Sequence, residues 1–227
     1  MLDAIRGFSL ILMLAYHFGY TLYSFGLVSA DVIYHDIFKV LQPLFASVFI
    51  LLCGVSSNFS RSNLKRGLVT LGCAAAVSVV MWRFGMPVWF GILHFLGCCM
   101  LIYAAAGKFA RKFKAFRSLA VCAVLFTVCF IAFPVETEND WFAWLGFSSH
   151  DFVISAADYF PVGRWFFLFM AGTYLGGYIK DGPMPKWFCE FDMPVLPAVG
   201  RHTLVIYMVH QPVFYGVIQL FLFLFHS

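Results

Sequence analysis

The chain has 227 residues, of which 62% are hydrophobic and only 11% charged, with a mean hydropathy of +0.87 and a net charge of +4. A soluble domain carries about 25% charged residues, so this composition describes a membrane protein. About seven spans of about 20 residues fill the length, and residues 1–227 read as one transmembrane domain with no separate soluble part. The positive balance is no nucleic-acid footprint, because the basic residues fall in blocks between apolar runs without interleaved aromatics.

The expected fold is an all-α polytopic helical bundle, with spans near 4–26, 37–59, 68–83, 88–106, 119–134, 161–179 and 202–225. A short apolar run ending near Val28-Ser29-Ala30 loosely resembles a cleaved leader. It continues past His17 to Leu27, however, which is the length of an uncleaved span. Pro43 falls inside the second span, where it would kink the helix and free a carbonyl. Pro87 stands where a fourth helix would begin, a normal first-turn position. The segment 135–160 carries Trp141, Phe142, Trp144 and Phe147, which suit a membrane interface or the face of a sugar ring. In the sixth span Gly172-x-x-x-Gly176 permits close helix approach.

Lys and Arg set the orientation. Arg6, the group Arg61, Lys65 and Arg66, the group Lys108, Arg111, Lys112, Lys114 and Arg117, and the group Lys180, Lys186 and Arg201 fall on one side. Only Lys39, Arg83 and Arg164 remain for the other. The crowded side is cytosolic, which puts the N-terminus inside and the C-terminus outside. Six of the seven cysteines lie in apolar segments and Cys189 in a cytosolic loop, so they read as small buried side chains rather than as disulfides.

The polar residues at depth carry the functional information. Arg6 and His17 are eleven residues apart. Eleven steps of about 100° leave a residual of about 20°, so both lie on one helix face, separated by roughly 16 Å along the axis. Packing does not require an imidazole at membrane depth in line with a cation at the membrane edge. His94 is expected at a depth similar to that of His17, and the two would meet if the first and fourth helices are neighbours. His210 and Gln211 lie near the midplane of the last span, and His35 with Asp36 at the outer mouth of the second. Each histidine also has an ordinary reading as a packing residue bonded to a carbonyl. Arg6 alone would be an interface anchor paired with Asp3, Arg201 an interface anchor, and Arg164 with Asp158 an ion pair. No metal is expected: His202 and His210 are eight apart, a poor chelating face, and no His-x-x-x-His or Cys-x-x-Cys occurs. The last span holds no lysine for a retinal Schiff base.

Leu2-Asp3-Ala4-Ile5-Arg6-Gly7 followed by His17 resembles the opening of transmembrane acyltransferases, whose first helix carries Arg-(ten residues)-His. Phe90-Gly91-Ile92-Leu93-His94-Phe95-Leu96-Gly97, Asp158-Tyr159-Phe160-Pro161 and the run from Gly200-Arg201-His202 to His210-Gln211-Pro212 resemble the bacterial branch related to the heparan-alpha-glucosaminide N-acetyltransferase catalytic domain. Phe49-Ile50-Leu51-Leu52-Cys53-Gly54-Val55-Ser56 fits the second helix of that family. The resemblance implies a multi-pass enzyme moving an acetyl or other acyl group from cytosolic acyl-coenzyme A to an amine or hydroxyl, typically of a sugar or glycan, at the outer face. Membrane lipid, acyl-coenzyme A and that acceptor are the implied partners.

In this reading His17, His94 and His35 are the candidate catalytic residues. Arg6, Arg66, Lys108 and Arg201 are the candidates for coenzyme A phosphates, which the basic loops would attract. Asp158, Tyr159, Arg164, His210 and Gln211 are the candidates for the acceptor. A histidine near neutral pKa can deprotonate the acceptor or briefly carry the acyl group, and the residues leave both open. One departure stands out. The human-type enzyme has an asparagine in the His17 slot and its catalytic histidine in the following outer loop. That loop here holds only His35, at a spacing that does not match. The chain is also shorter, with fewer spans, so it would either lack part of the acceptor site or work as a homo-oligomer. The competing classes are a transporter or flippase holding a polar substrate in the same pocket, and a bis-histidine haem protein using His17 and His94.

Overall fold

The computed structural model describes residues 1–85, 87–110, 118–155, 158–182 and 194–225, with side chains described at all of these except 107–110 and 153–155. Among the described residues it is all-α apart from one pair of two-residue strands. The helices are α1 (Leu2–Ser24), α2 (Ala30–Ile33), α3 (Asp36–Ser57), α4 (Asn63–Arg83), α5 (Ile92–Ala110), α6 (Leu119–Ala132), α7 (His150–Ser155), α8 (Val162–Asp181), α9 (Leu196–Arg201) and α10 (Thr203–Phe225). Three of them, α3, α4 and α10, are long and apolar enough to cross a membrane, and α5 and α6 contain shorter apolar stretches. α1 and α8 reach 23 and 20 residues, but Asp3, Arg6, His17 and the tyrosines of α1 dilute its apolar character.

α10 shows how such a helix is built. Val205, Val209, Val213, Val217, Leu220 and Leu224 recur every three or four residues and are all exposed, as a lipid-facing stripe would be. Thr203, Tyr207, His210 and Ile218 occupy another face and are buried. The buried face thus carries polar Thr203, Tyr207 and His210, whereas the exposed stripe is wholly apolar, the reverse of a water-soluble helix.

The chain forms two compact units, residues 1–49 with 184–227, and residues 50–183. In the first, α1 packs against α9 and α10. The approach to α9 is close enough that a Cβ on Gly7 would strike the carbonyl oxygen of Leu196, and one on Gly200 that of Asp3. Gly19 lets α2 close over α1, with Ile33 Cδ1 3.1 Å from where a Cβ would stand.

In the second unit α4 pairs with α5 and α6 with α8. Gly67 and Gly97 make the first contact: a Cβ on Gly97 would lie 2.6 Å from Leu71, and one on Gly67 2.8 Å from Leu101. Phe126 and Phe130 meet Trp165 in the other, with ring centroids 5.9 and 5.2 Å apart. The expected Gly172-x-x-x-Gly176 contact is present. Gly172 faces the carbonyl of Leu51, Gly176 that of Val55, and Gly54 returns the approach onto Phe169. Asn58 Nδ2 donates to the Thr173 carbonyl at 2.6 Å across this junction.

Some features differ from the sequence expectation, among them the start of α4 at Asn63 rather than 68. α5 begins at Ile92 rather than 88, so Pro87 precedes the helix instead of occupying its first turn. The reason is a remote cap: the Ile92 backbone N–H, an orphan donor of the helix start, donates to Asp158 Oδ2 at 3.2 Å. The segment after α6 has regular structure of its own. Its strands, β1 (Val135–Glu136) and β2 (Phe147–Ser148), pair in parallel around turns that leave Trp141, Phe142 and Trp144 exposed. Pro43 lies within a continuous α3, where Ser47 Oγ donates to its carbonyl at 2.7 Å.

Candidate functional site

α1 is one unbroken helix from Leu2 to Ser24, so Arg6 and His17 do share a face. At the His17 end the face meets α10. The Gln211 amide bridges the two helices, its Nε2 3.1 Å from His17 Nδ1 and its Oε1 3.2 Å from Thr21 Oγ1. Thr21 is almost fully buried, and its hydroxyl also lies 2.8 Å from the His17 carbonyl oxygen, one helical turn back. The His210 ring stands 5.1 Å from that of His17, and Tyr207 closes the group at 4.9 Å from His210 and 6.5 Å from His17. Tyr16 lies edge-on to His17 at 6.0 Å. Two imidazoles, a phenol, an amide and a hydroxyl from α1 and α10 are thus gathered in one place, two of the residues being 194 positions apart.

The roles of His210 are partly fixed. A carbonyl can only accept, so its contact with Tyr207 O makes His210 Nδ1 the protonated nitrogen and leaves the lone pair on Nε2.

The other end of the α1 face holds cations. Arg6 Nη1 bonds Asp3 Oδ1 at 2.6 Å, the pairing expected for an interface anchor. Arg201 ends α9 directly after Gly200, whose Cα abuts the carbonyl of Asp3. Arg6 and exposed Arg201 therefore emerge from one helix junction. His35 is exposed at the start of α3, with its Nδ1 accepting from the Ile37 backbone N–H at 3.3 Å. That is a capping contact rather than one aimed at the histidine pair.

The second unit has its own constellation around His94, on the first turn of α5. Ser78 Oγ donates to the Val88 carbonyl at 2.7 Å and lies 3.4 Å from His94 Nε2. Its single proton is committed to the carbonyl, so it offers His94 a lone pair, and the lone pair of a neutral His94 falls on Nδ1. Phe90 packs over the ring at 5.7 Å. Asp158, buried at 9% exposure, caps the same helix and lies so close to Gly91 that a Cβ there would stand 2.5 Å from its Oδ2. The carboxylate that starts α5 is thus held beside the turn that carries His94.

Tyr159 donates to the Ala143 carbonyl at 2.6 Å and meets Ser148 Oγ at 3.4 Å. Burial raises its phenol pKa above the ordinary value. Arg164 stacks over the Phe130 ring, 4.0 Å from its centroid, and among the described residues its Nε has no hydrogen-bond partner. Arg66 Nη1 donates to the Ser56 carbonyl at 3.2 Å, closing the end of α3. The side chain of Lys108, the basic run at 111–117, Lys186 and Cys189 lie outside the described residues. Among the described residues no cysteine is joined in a disulfide, and no three His, Cys, Asp or Glu side chains converge on a metal position.

Sequence reading missed Thr21 and Ser78 altogether. One signal was available: each is a hydroxyl in an apolar helix, Thr21 one turn after His17 on the same face.

Residues 1–212 match the family described as heparan-alpha-glucosaminide N-acetyltransferase, catalytic. The chain belongs to that family. The match runs through every described residue of both constellations, from Arg6 to Gln211. None of the curated proteins and none of the solved structures compared with the chain matches it. The family is one of membrane acetyltransferases, and it is a transferase that the helices and their buried polar groups have to account for.

Proposed function

We propose that this chain is a multi-pass acetyltransferase that takes acetyl from cytosolic acetyl-coenzyme A and delivers it to an amine or hydroxyl of an extracytoplasmic sugar or glycan. The family match supplies the reaction class, and the observation that carries the reading is the His17–Gln211–Thr21 bridge with His210 beside it. The seven-span topology with a cytosolic N-terminus stands on the distribution of Lys and Arg. It sets Arg6 and Arg201 at the cytosolic edge, where two cations from one helix junction suit the phosphates of coenzyme A. Basic residues at 108–117 would add to that field.

His17 acts as general base. Its ring takes the proton of the acceptor N–H or O–H as the acceptor atom forms its bond to the thioester carbonyl carbon. When the carbon–sulfur bond breaks, the imidazolium returns that proton to the departing thiolate, so the enzyme ends unchanged.

Purified protein in detergent, given radiolabelled acetyl-coenzyme A and glucosamine, is expected to produce labelled N-acetylglucosamine. His17→Ala should lower the rate by about 10²–10⁴, the usual worth of a general base, while eluting as the same species from size exclusion. Undiminished transfer by a folded His17→Ala protein would remove His17 from the mechanism. Sugar moving across proteoliposomes without acetylation would replace the whole reading with transport.

A further inference from the structure

The bridge between α1 and α10 contains a proton count that decides which nitrogen of His17 is available. Thr21 Oγ1 lies 2.8 Å from the His17 carbonyl and 3.2 Å from the Gln211 amide. A hydroxyl has one proton to give and lone pairs to receive with. The carbonyl can only accept, and its contact is the shorter, so the proton is spent there. Thr21 is 1% exposed, so water supplies no second donor. Toward Gln211 the hydroxyl therefore offers lone pairs, which requires the NH2 end of the amide to face it.

The two ends of a carboxamide occupy the same space, so turning the amide changes no packing and only the hydrogen bonds choose. The orientation with nitrogen toward His17 asks Thr21 to donate one proton twice. The turned orientation gives every group one role. Thr21 donates to the His17 carbonyl, Gln211 Nε2 donates to Thr21, and Gln211 Oε1 accepts from His17 Nδ1–H across the gap of 3.1 Å. The lone pair of neutral His17 is then on Nε2.

We propose that Gln211 and Thr21 are positioning residues that hold His17 as the Nδ1–H tautomer, so that Nε2 is the atom that receives the acceptor's proton. The tautomer stands on the geometry alone, whereas its use in catalysis rests on the acetyltransferase reading above. Neither residue touches substrate. They do for His17 what a carboxylate does for the imidazole of a hydrolytic triad, with a neutral amide in its place. A neutral partner suits a site within the membrane, where a second charge would be costly. The ionisable groups facing His17 are His210 and Tyr207 of α10 and Tyr16 of α1.

Two measurements test this. Full-length protein with ¹⁵N-labelled histidine rings is placed in lipid nanodiscs, and the His17 signal is identified by its loss in His17→Ala. Long-range nitrogen–proton correlations above the titration of the ring should show a proton on Nδ1. A proton on Nε2 overturns the proposal outright, whatever the enzyme does. The kinetic test uses acetyl-coenzyme A and glucosamine. Gln211→Leu should lower kcat about 10- to 1000-fold with KM for acetyl-coenzyme A unchanged. Gln211→Glu keeps the accepting oxygen, so it should recover most of the kcat lost in Gln211→Leu. It should also move the acid limb of the pH–rate profile upward, because a carboxylate favours the imidazolium. Equal losses in both variants would mean that Gln211 only fills space. An Nδ1–H signal in a protein with no transferase activity would keep the tautomer and end the acetyltransferase reading.

Discussion

Gly172→Ala replaces one hydrogen with a methyl group, yet the junction of α3 and α8 predicts a large effect. The new Cβ would fall on the carbonyl oxygen of Leu51, a backbone atom that cannot rotate aside. Ordinary contact requires α8 to retreat by about 1 Å, and a gap of that size forfeits a quarter to a half of each affected dispersion contact. Over some tens of atom pairs at 0.1–0.2 kcal/mol each, that is about 1–3 kcal/mol. The Asn58 to Thr173 bond at 2.6 Å crosses the same junction, and stretching it costs about 1 kcal/mol more. In a bilayer no hydrophobic force presses the helices back together, so the loss is not recovered elsewhere. The sum of about 2–4 kcal/mol lowers the unfolding midpoint by roughly 5–15 °C for a chain of this size. The assay is loss of the monodisperse size-exclusion peak after heating in detergent. Gly216→Ala is the control, since a Cβ there meets nothing within 4 Å, and it should leave the midpoint unchanged or slightly raised. If Gly172→Ala behaved like Gly216→Ala, the argument from backbone contact would be wrong.

Other outcomes follow from the same geometry. Asp158→Leu should cost about 1–2 kcal/mol of stability by uncapping α5, while Asp158→Asn retains an accepting oxygen and most of that stability, measured by the same heating series. Arg6→Gln with Arg201→Gln should raise KM for acetyl-coenzyme A several-fold with little change in kcat, and the difference from the parent should shrink as salt is raised. Tyr159 keeps its proton longer in the fold than in the unfolded chain, so its contribution is whole below about pH 10 and is lost as pH rises through the folded value. Tyr159→Phe should therefore flatten the alkaline end of a stability–pH curve.

The helices were legible because apolar runs broken by basic blocks leave few alternatives, and most ends fall within a few residues of their expected places. Local sequence announced the glycines at 172 and 176, but not their receptor at Gly54, because a small residue in an apolar helix looks the same whether it faces lipid or backbone. The start of α5 was misplaced for a related reason. Its cap is Asp158, 66 residues away, and Pro87 imitates a local start signal that the fold does not use. Arg6 and His17 were found by helical period alone, because both lie on one element. Gln211 was legible as a neighbour of His210 and a candidate for the acceptor but not as a partner of His17, and Thr21 not at all, since their meaning depends on α1 and α10 being adjacent. The six-residue α9 also escaped notice, being too short for any periodicity to register.

That short helix links the two ends of the α1 face. Gly7 and Gly200 let α1 and α9 touch backbone to backbone, and α10 begins two residues after α9 ends. The contact fixes α1 against the chain that leads into α10, so it sets the register in which Gln211 meets His17 and Thr21. It also brings Arg201 to the turn bearing Arg6. A shift of α1 by one residue along α9 would rotate His17 by about 100° and move it about 1.5 Å, enough to break a 3.1 Å bond to the amide. Gly200→Ala, which forces the two backbones apart, should therefore reduce acetyl transfer as well as stability, although Gly200 touches none of the reacting groups. Gly172→Ala provides the comparison, since it disturbs a junction in the other unit. At temperatures where both proteins remain folded, the Gly200→Ala variant should show the larger loss of kcat and a changed His17 ring signal. A Gly200→Ala protein with a parental ring signal would mean that the register is held by α10 itself.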